Sequence, residues 1–296
     1  MPRIEFGFTM PADQLDKSRR GTYVDDLNRA LALVEGHFAS AWYIDHLQFG
    51  DSDLLEGFTA LSYMAALHPR LKFGNTVLCQ SFRNPALLAK MAATLQFMSG
   101  GRFILGLGAG WNEAEFRAFG LPYDHRVTRF AEAFEIIRGM LAGERVTLEG
   151  RFWQADDLVL LPPPARRPPI MIGSHGPRML GLTLPHVDSW NTWYDWYGNT
   201  ADGFAAANRA ISDAARRAGR DPRHIERSAC VLVALAGSAE RPDENEAPPL
   251  RGDARRIARH LHDLAEAGAD EAILVVDPIT EVSIRTLAEA LPLLDA

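Results

Sequence analysis

Eight short apolar runs, each followed by sequence with a helical period, narrow the fold of this chain more than any other feature. IEFGF (4–8) precedes a helical pattern near 23–38, and WYIDH (42–46) precedes another near 55–68. LKFGNTVLC (71–79) leads into NPALLAKMAATLQFMSG, and RFILGLG (102–108) into a helix around 127–142. PIMIGS (169–174), VDSWNTW (187–193), SACVLVALAG (228–237) and AILVVD (272–277) complete the set, the last followed by SIRTLAEALPLL. The runs are apolar on both faces and rich in β-branched residues, as parallel strands covered on two sides should be. Eight β-α units in 296 residues predict a single α/β domain over 1–296, a (β/α)8 TIM barrel with insertions. An open doubly wound sheet is the other arrangement this alternation allows. It usually shows a phosphate-binding glycine fingerprint early, and none occurs here.

Three segments interrupt the pattern. VTLEGRFWQADDLVL (146–160) reads as an inserted hairpin turning at Glu149-Gly150, followed by the proline-rich link LPPPARRPP. AERPDENEAPPLRGD (239–253) reads as a solvated loop. Within the third helical pattern, Leu87, Leu88, Met91, Leu95 and Met98 are expected on one stripe, with both methionines filling the core.

Composition removes several function classes. A net charge of −7 argues against a nucleic-acid surface, which needs a basic face. Two cysteines, Cys79 and Cys230, give neither a disulfide framework nor a C-x-x-C zinc site. The start, MPRIEFGF, lacks the basic and long apolar regions of a signal peptide. No run approaches the roughly 18 apolar residues of a membrane span. A cytoplasmic protein with a small-molecule substrate, no nucleic acid and no membrane is the expectation, with a homodimer the assembly to test for.

In a barrel of this kind, chemistry sits at the C-terminal ends of the strands. Those ends carry Thr9-Met10, Asp45-His46, Cys79-Gln80, Ala109-Gly110-Trp111, Ser174-His175, Trp190-Asn191 and Trp193. The ring has no His/Asp/Glu cluster that would hold a metal, so none is expected. GSHG (173–176) lacks the G-x-S-x-G spacing of a nucleophile elbow. In IGSHGPRML the amides of Ser174, His175 and Gly176 precede a helix opened by Pro177, an arrangement suited to an anion, with Arg178 adding charge. A plain turn capped by Ser174 explains the same residues. Gly106, Gly108 and Gly110 match neither the G-x-G-x-x-G nor the Walker spacing. They either let a flat ligand lie on bare backbone or permit tight packing at a strand end.

WYIDH, FGNTVLCQSFRNPALLAKMAATLQFMSGGRFILGLGAGWNEAEF and GRFWQADDLVLLPPPARRPPIMIGSHGPRML together resemble the luciferase-like monooxygenase superfamily. They resemble most its branch that uses the 8-hydroxy-5-deazaflavin coenzyme F420. The similarity runs over roughly 1–235 and is strongest from 71 to 178. It implies a (β/α)8 barrel with the cofactor over the C-terminal strand ends. It also implies a catalytic His46 facing the reacting edge, with Asp45 beside it as a cofactor contact. On a regular strand Asp45 points away from His46, so that contact requires the strand end to twist. The resemblance further implies a cis peptide in a bulge at Thr76-Val77 beneath the ring, small residues Ala109 and Gly110 admitting the ring, and a phosphate held by Gly173, Ser174, His175, Gly176 and Arg178. Met10, Trp111, Trp190 and Trp193 are the expected substrate pocket. Trp111 stands close to the place where sugar-phosphate dehydrogenases of this branch carry a glutamate, which disfavours such a substrate. The implied activity is hydride transfer between F420 and an organic substrate. The alternatives are an FMN-dependent monooxygenase and a cofactor-binding protein without turnover.

Overall fold

The structure is a computed structural model that describes residues 4–11, 21–163, 165–238 and 247–294. Twelve strands are formed among them: β1 (Glu5–Thr9), β2 (Ser40–Tyr43), β3 (Lys72–Asn75), β4 (Leu78–Cys79), β5 (Phe103–Gly108), β6 (Val146–Glu149), β7 (Gln154–Leu158), β8 (Ile170–Ile172), β9 (Ser189–Thr192), β10 (Glu226–Ala234), β11 (Leu250–Arg251) and β12 (Glu271–Asp277). The helices are α1 (Tyr23–Val34), α2 (Gly57–Leu67), α3 (Pro85–Met98), α4 (Glu113–Ala118), α5 (Arg126–Leu141), α6 (Pro177–Thr183), α7 (Ala201–Arg217), α8 (Ala254–Glu266) and α9 (Glu281–Ala290).

The strands close into a parallel barrel in the order β1, β2, β3/β4, β5, β8, β9, β10, β12, with β12 pairing back to β1. All eight sequence runs are strands of this barrel, so the (β/α)8 TIM barrel holds. β3 and β4 are one strand interrupted at Thr76-Val77, where the peptide bond is cis as the resemblance implies. β6 and β7 form the inserted hairpin, antiparallel and outside the barrel; Glu149 pairs with Gln154, so residues 150–153 make the turn. Local chemistry sets the helix starts. Asn84 accepts the amides of Ala86 (3.0 Å) and Leu87 (3.1 Å) at the start of α3, and Pro85 occupies its first turn.

Two sequence expectations need correction. The core face of α3 is Leu88, Ala89, Ala92, Ala93, Leu95 and Gln96, whereas Leu87 is 56% and Met98 77% exposed. Small alanines, which an apolar count undervalues, let α3 approach the barrel closely. The segment 239–253 is more than loop: Leu250–Arg251 adds a short strand parallel to β10. Residues 239–246 lie outside the described residues.

The barrel interior is filled by Trp42, Met171, Cys230 and Ile273, with Val77, Ile104, Trp193 and Val275 against them. Trp42 dominates this space, and two glycines make room for its indole. A Cβ at Gly74 would fall 2.3 Å from the ring, and one at Gly7 would fall 2.7 Å from its Nε1. Below it, the Trp42 indole donates to Ser40 Oγ (2.8 Å) and Glu271 Oε1 (3.2 Å), and Ser40 donates to the same carboxylate oxygen (2.5 Å). Burial pushes the Glu271 carboxyl up to about 7, against the two hydrogen bonds that lower it.

Gly74→Ala should therefore cost about 1–3 kcal/mol, the usual penalty for overpacking a filled interior. Gly36→Ala, where an added Cβ meets nothing within 4 Å, is the control. Equal denaturation midpoints for the two variants would refute the packing account. A second expectation concerns pH. The raised folded pKa of Glu271 means that the neutral form is favoured in the fold. Its contribution is complete below about 4.5 and is lost as pH rises through about 7. Chemical denaturation across that window should show wild type losing up to about 3 kcal/mol relative to Glu271→Gln. Parallel curves would show that the carboxyl is not perturbed.

Candidate active site

β2 ends at Tyr43, and the chain then crosses the C-terminal mouth of the barrel. Asp45 turns inward. Its carboxylate is fully buried and takes a bidentate pair of hydrogen bonds from Arg83, both 2.8 Å, with a third from the Cys79 amide at 2.8 Å. Arg83 also donates to Glu56 Oε1. Burial works to lower the Arg83 guanidinium, and its bonds to Asp45 and Glu56 more than reverse that, holding it above its ordinary range. The cofactor contact expected of Asp45 is thus corrected. A carboxylate enclosed by three donors and closed to solvent anchors the loop instead of meeting a ligand.

His46, the next residue, faces the opposite way. Its side chain keeps 17% exposure, and Nδ1 lies 3.0 Å from Glu115 Oε2. Phe49 and Trp111 flank the ring at centroid distances of 5.0 and 5.8 Å. Both flanking residues are open, Phe49 at 44% and Trp111 at 63%. Trp111 is held from below: Tyr123 donates to its carbonyl at 2.9 Å, and Arg126 donates to the carbonyl of Gly110. His46, Phe49 and Trp111 thus form an aromatic rim with one titratable group in it.

The floor of the mouth is the interrupted strand. Val77 packs into a slot made by two glycines: a Cβ at Gly108 would sit 2.8 Å from one Val77 methyl, and one at Gly173 would sit 3.0 Å from the other. At Gly106 an added Cβ would strike the Asn75 carbonyl at 2.0 Å. Gly110 has φ +78, and its Cβ direction is filled by Cys79 Sγ at 2.5 Å and the Phe116 ring. The alternate glycines therefore accommodate protein atoms. The expectation that small residues at the end of β5 admit the ring directly is corrected for Gly110; neighbouring Ala109 is half-buried at the mouth. Around this floor, Thr9 Oγ1, Asn75 Oδ1, Thr76 Oγ1, Gln80 Oε1 and Ser81 Oγ are buried without a hydrogen-bond partner among the described residues. Only Arg220 and His260 share that condition among those residues, so orphaned polar atoms concentrate at the ends of β1 and β3/β4. Buried polar atoms are nearly always paired, and a cluster of exceptions at a mouth fits a polar ligand edge.

On the far side, the Gly173 amide bonds to Leu107 (3.2 Å), while the amides of Ser174, His175 and Gly176 are engaged by no other described residue. The His175 ring stacks on Trp196 (4.6 Å, 11°) and its Nε2 meets Thr192 Oγ1 at 3.1 Å, with burial pushing its pKa down. Arg178 is exposed and donates to Thr128 Oγ1 at 2.9 Å, which leaves its guanidinium at the surface above α5 and α6. Of the expected substrate pocket, Trp111 lines the rim and Trp193 is half-buried against the barrel interior. Met10 and Trp190 are corrected. Both are buried in the packed core, and the Trp190 indole is tied to the Ser174 carbonyl at 2.9 Å. Neither cysteine is a nucleophile: both are buried and free, and burial pushes Cys230 to about 12 and also raises Cys79.

Sequence reasoning missed Glu115, Arg83 and Phe49. In WNEAEF the two acids Glu113 and Glu115 look like ordinary first-turn residues of a helix; only the fold shows that Glu113 is exposed and Glu115 buried.

The chain matches the luciferase-like monooxygenase family model over residues 4–274. It is 32% identical over 224 residues to the 5,10-methylenetetrahydromethanopterin reductase of Methanolobus tindarius, covering 69% of this chain and 59% of that protein. It is 31% identical over 224 residues to the F420-dependent hydroxymycolic acid dehydrogenase of Mycobacterium tuberculosis, covering 70% and 58%. The alignments thus span less than two thirds of either relative. Among solved structures, an F420-dependent secondary alcohol dehydrogenase in complex with an F420-acetone adduct superposes with a TM-score of 0.81 over 99% of each chain at 19% identity. A long-chain alkane monooxygenase superposes at 0.78 over 100% and 92% at 16% identity. At such identities these two show the fold alone. With the match running along nearly the whole barrel and the closed parallel sheet in place, the chain belongs to the luciferase-like monooxygenase family.

Proposed function

We infer that this chain is an oxidoreductase that passes a hydride between coenzyme F420 and an apolar secondary alcohol or its ketone. The observation that carries the reading is His46 at the barrel mouth. Its Nδ1 is engaged and its Nε2 bonds to no described residue, between two exposed aromatic rings and beside a floor of unpartnered polar atoms. The mycobacterial relative, F420-dependent by name, supports the choice of cofactor.

The residues present fit a deazaflavin. Thr76, Val77 and Ala109 border the floor, whose orphaned oxygens would meet the polar edge of a ring. The free amides of Ser174, His175 and Gly176, with Arg178 nearby, would hold a phosphate. When bound, the coenzyme supplies the carbon that accepts or gives the hydride, and the protein binds, orients and excludes water. In oxidation, the hydride leaves the carbinol carbon, the C–O bond gains its second pair, and the hydroxyl proton passes to His46 Nε2. In reduction, the same nitrogen returns the proton to the oxygen. Phe49, Trp111 and Trp193 would hold the apolar substituents.

Titration of the purified protein with oxidised F420 should show micromolar or tighter binding by fluorescence, with FMN weaker. Tighter FMN binding together with flavin-dependent oxygen uptake would replace this reading by a monooxygenase. His46→Ala should lower kcat for F420-coupled oxidation of 2-octanol by about 10²–10⁴ while leaving the cofactor Kd within a few-fold. Unchanged turnover with a lower Tm would make His46 a packing residue.

A further inference from the structure

Glu115 touches three consecutive residues of the loop after β2. Oε2 faces His46 Nδ1 at 3.0 Å, while Oε1 accepts the amides of Leu47 and of Gln48, the latter at 3.0 Å. The carboxylate is 1% exposed, so no water competes for these bonds. The two amides fix Oε1 as an acceptor and thereby fix the plane of the carboxylate. An ionised carboxylate can only accept, so the nitrogen facing Oε2 must carry a proton. In a neutral imidazole the other nitrogen then bears the lone pair. Among the described residues the His46 ring is hydrogen-bonded at Nδ1 alone, which leaves Nε2 open on a ring wedged between Phe49 and Trp111.

We propose that Glu115 is the positioning residue of the site: it locks His46 in the Nδ1–H tautomer and aims the Nε2 lone pair into the barrel mouth. The same three bonds bring α4, through its Glu115, onto the loop that carries His46. The proposal rests on His46 being the proton-transfer group for its consequence in turnover, but the tautomer itself is open to direct observation.

Glu115→Gln separates the two. A carboxamide can keep its oxygen on the Leu47 and Gln48 amides, but its NH2 must then face Nδ1. The ring should switch to the Nε2–H tautomer, which cannot accept a proton at the mouth. Long-range 1H–15N correlation of ring nitrogens in [15N]histidine-labelled protein reads this directly, with the His46 signals assigned by their loss in His46→Asn. Wild type should show Nδ1 protonated and Nε2 unprotonated, and Glu115→Gln the reverse. 2-Octanol oxidation should fall at least about 10²-fold in kcat with KM little changed, and Glu115→Asp should restore part of it. A wild-type spectrum dominated by Nε2–H overturns the proposal even if the Gln variant fails to fold. So does a folded Gln variant with the wild-type pattern. A tautomer switch with undiminished turnover leaves the Glu115–His46 pairing standing and removes the acid–base reading of His46 instead.

Discussion

The site depends on one buried ion pair, Asp45 with Arg83. β2 ends two residues before Asp45, and a chain crossing the mouth of a barrel has no ladder to hold it. Two parallel hydrogen bonds of 2.8 Å to a guanidinium, and a third from the Cys79 amide, replace that ladder. They join the end of β2 to the end of β4 and to the turn before α3. Removing one partner of such a pair strands a buried charge, at a cost of about 3–5 kcal/mol. With Asp45 fixed inward, His46 beside it is left with its Nδ1 against Glu115, 3.0 Å away, at the mouth.

His46 is then held from the other side by α4. Asp45 and Glu115 divide the work that a single carboxylate does in simpler dyads: one anchors the backbone, the other meets the imidazole. Both are buried, and each accepts at least one backbone amide in addition to its side-chain partner. Such networks favour one geometry because every alternative leaves a buried polar group unpaired. Among the described residues the open rings of Phe49 and Trp111 meet other rings and no hydrogen-bond partner.

The barrel supports this arrangement by a particular distribution of volume. Trp42 occupies the lower interior and is received by Gly7 and Gly74; Val77 occupies the upper interior and is received by Gly108 and Gly173. Large and small residues on facing strands interlock, and the upper pair supplies the floor of the site. The glycines Gly106 and Gly108 of GLGAG therefore receive protein atoms, the Asn75 carbonyl and a Val77 methyl.

The eight strands were legible because parallel strands buried on both faces must be apolar, whatever their neighbours. The placing of His46, Trp111 and the 173–176 segment at one end of the barrel was legible because parallel strands put their C-terminal ends on one rim. Identity at one position could not show what fills the space beside it. Glycine reads alike whether it admits a ligand or a valine, and Glu113 and Glu115 read alike until one is buried. The inward turn of Asp45, its pairing with an arginine 38 residues away, and the closure of Glu115 on His46 across 69 residues are long-range contacts. Local periodicity fixes secondary structure and the barrel; which carboxylate is enclosed, and therefore which can orient a histidine, is decided only when distant segments exclude water together.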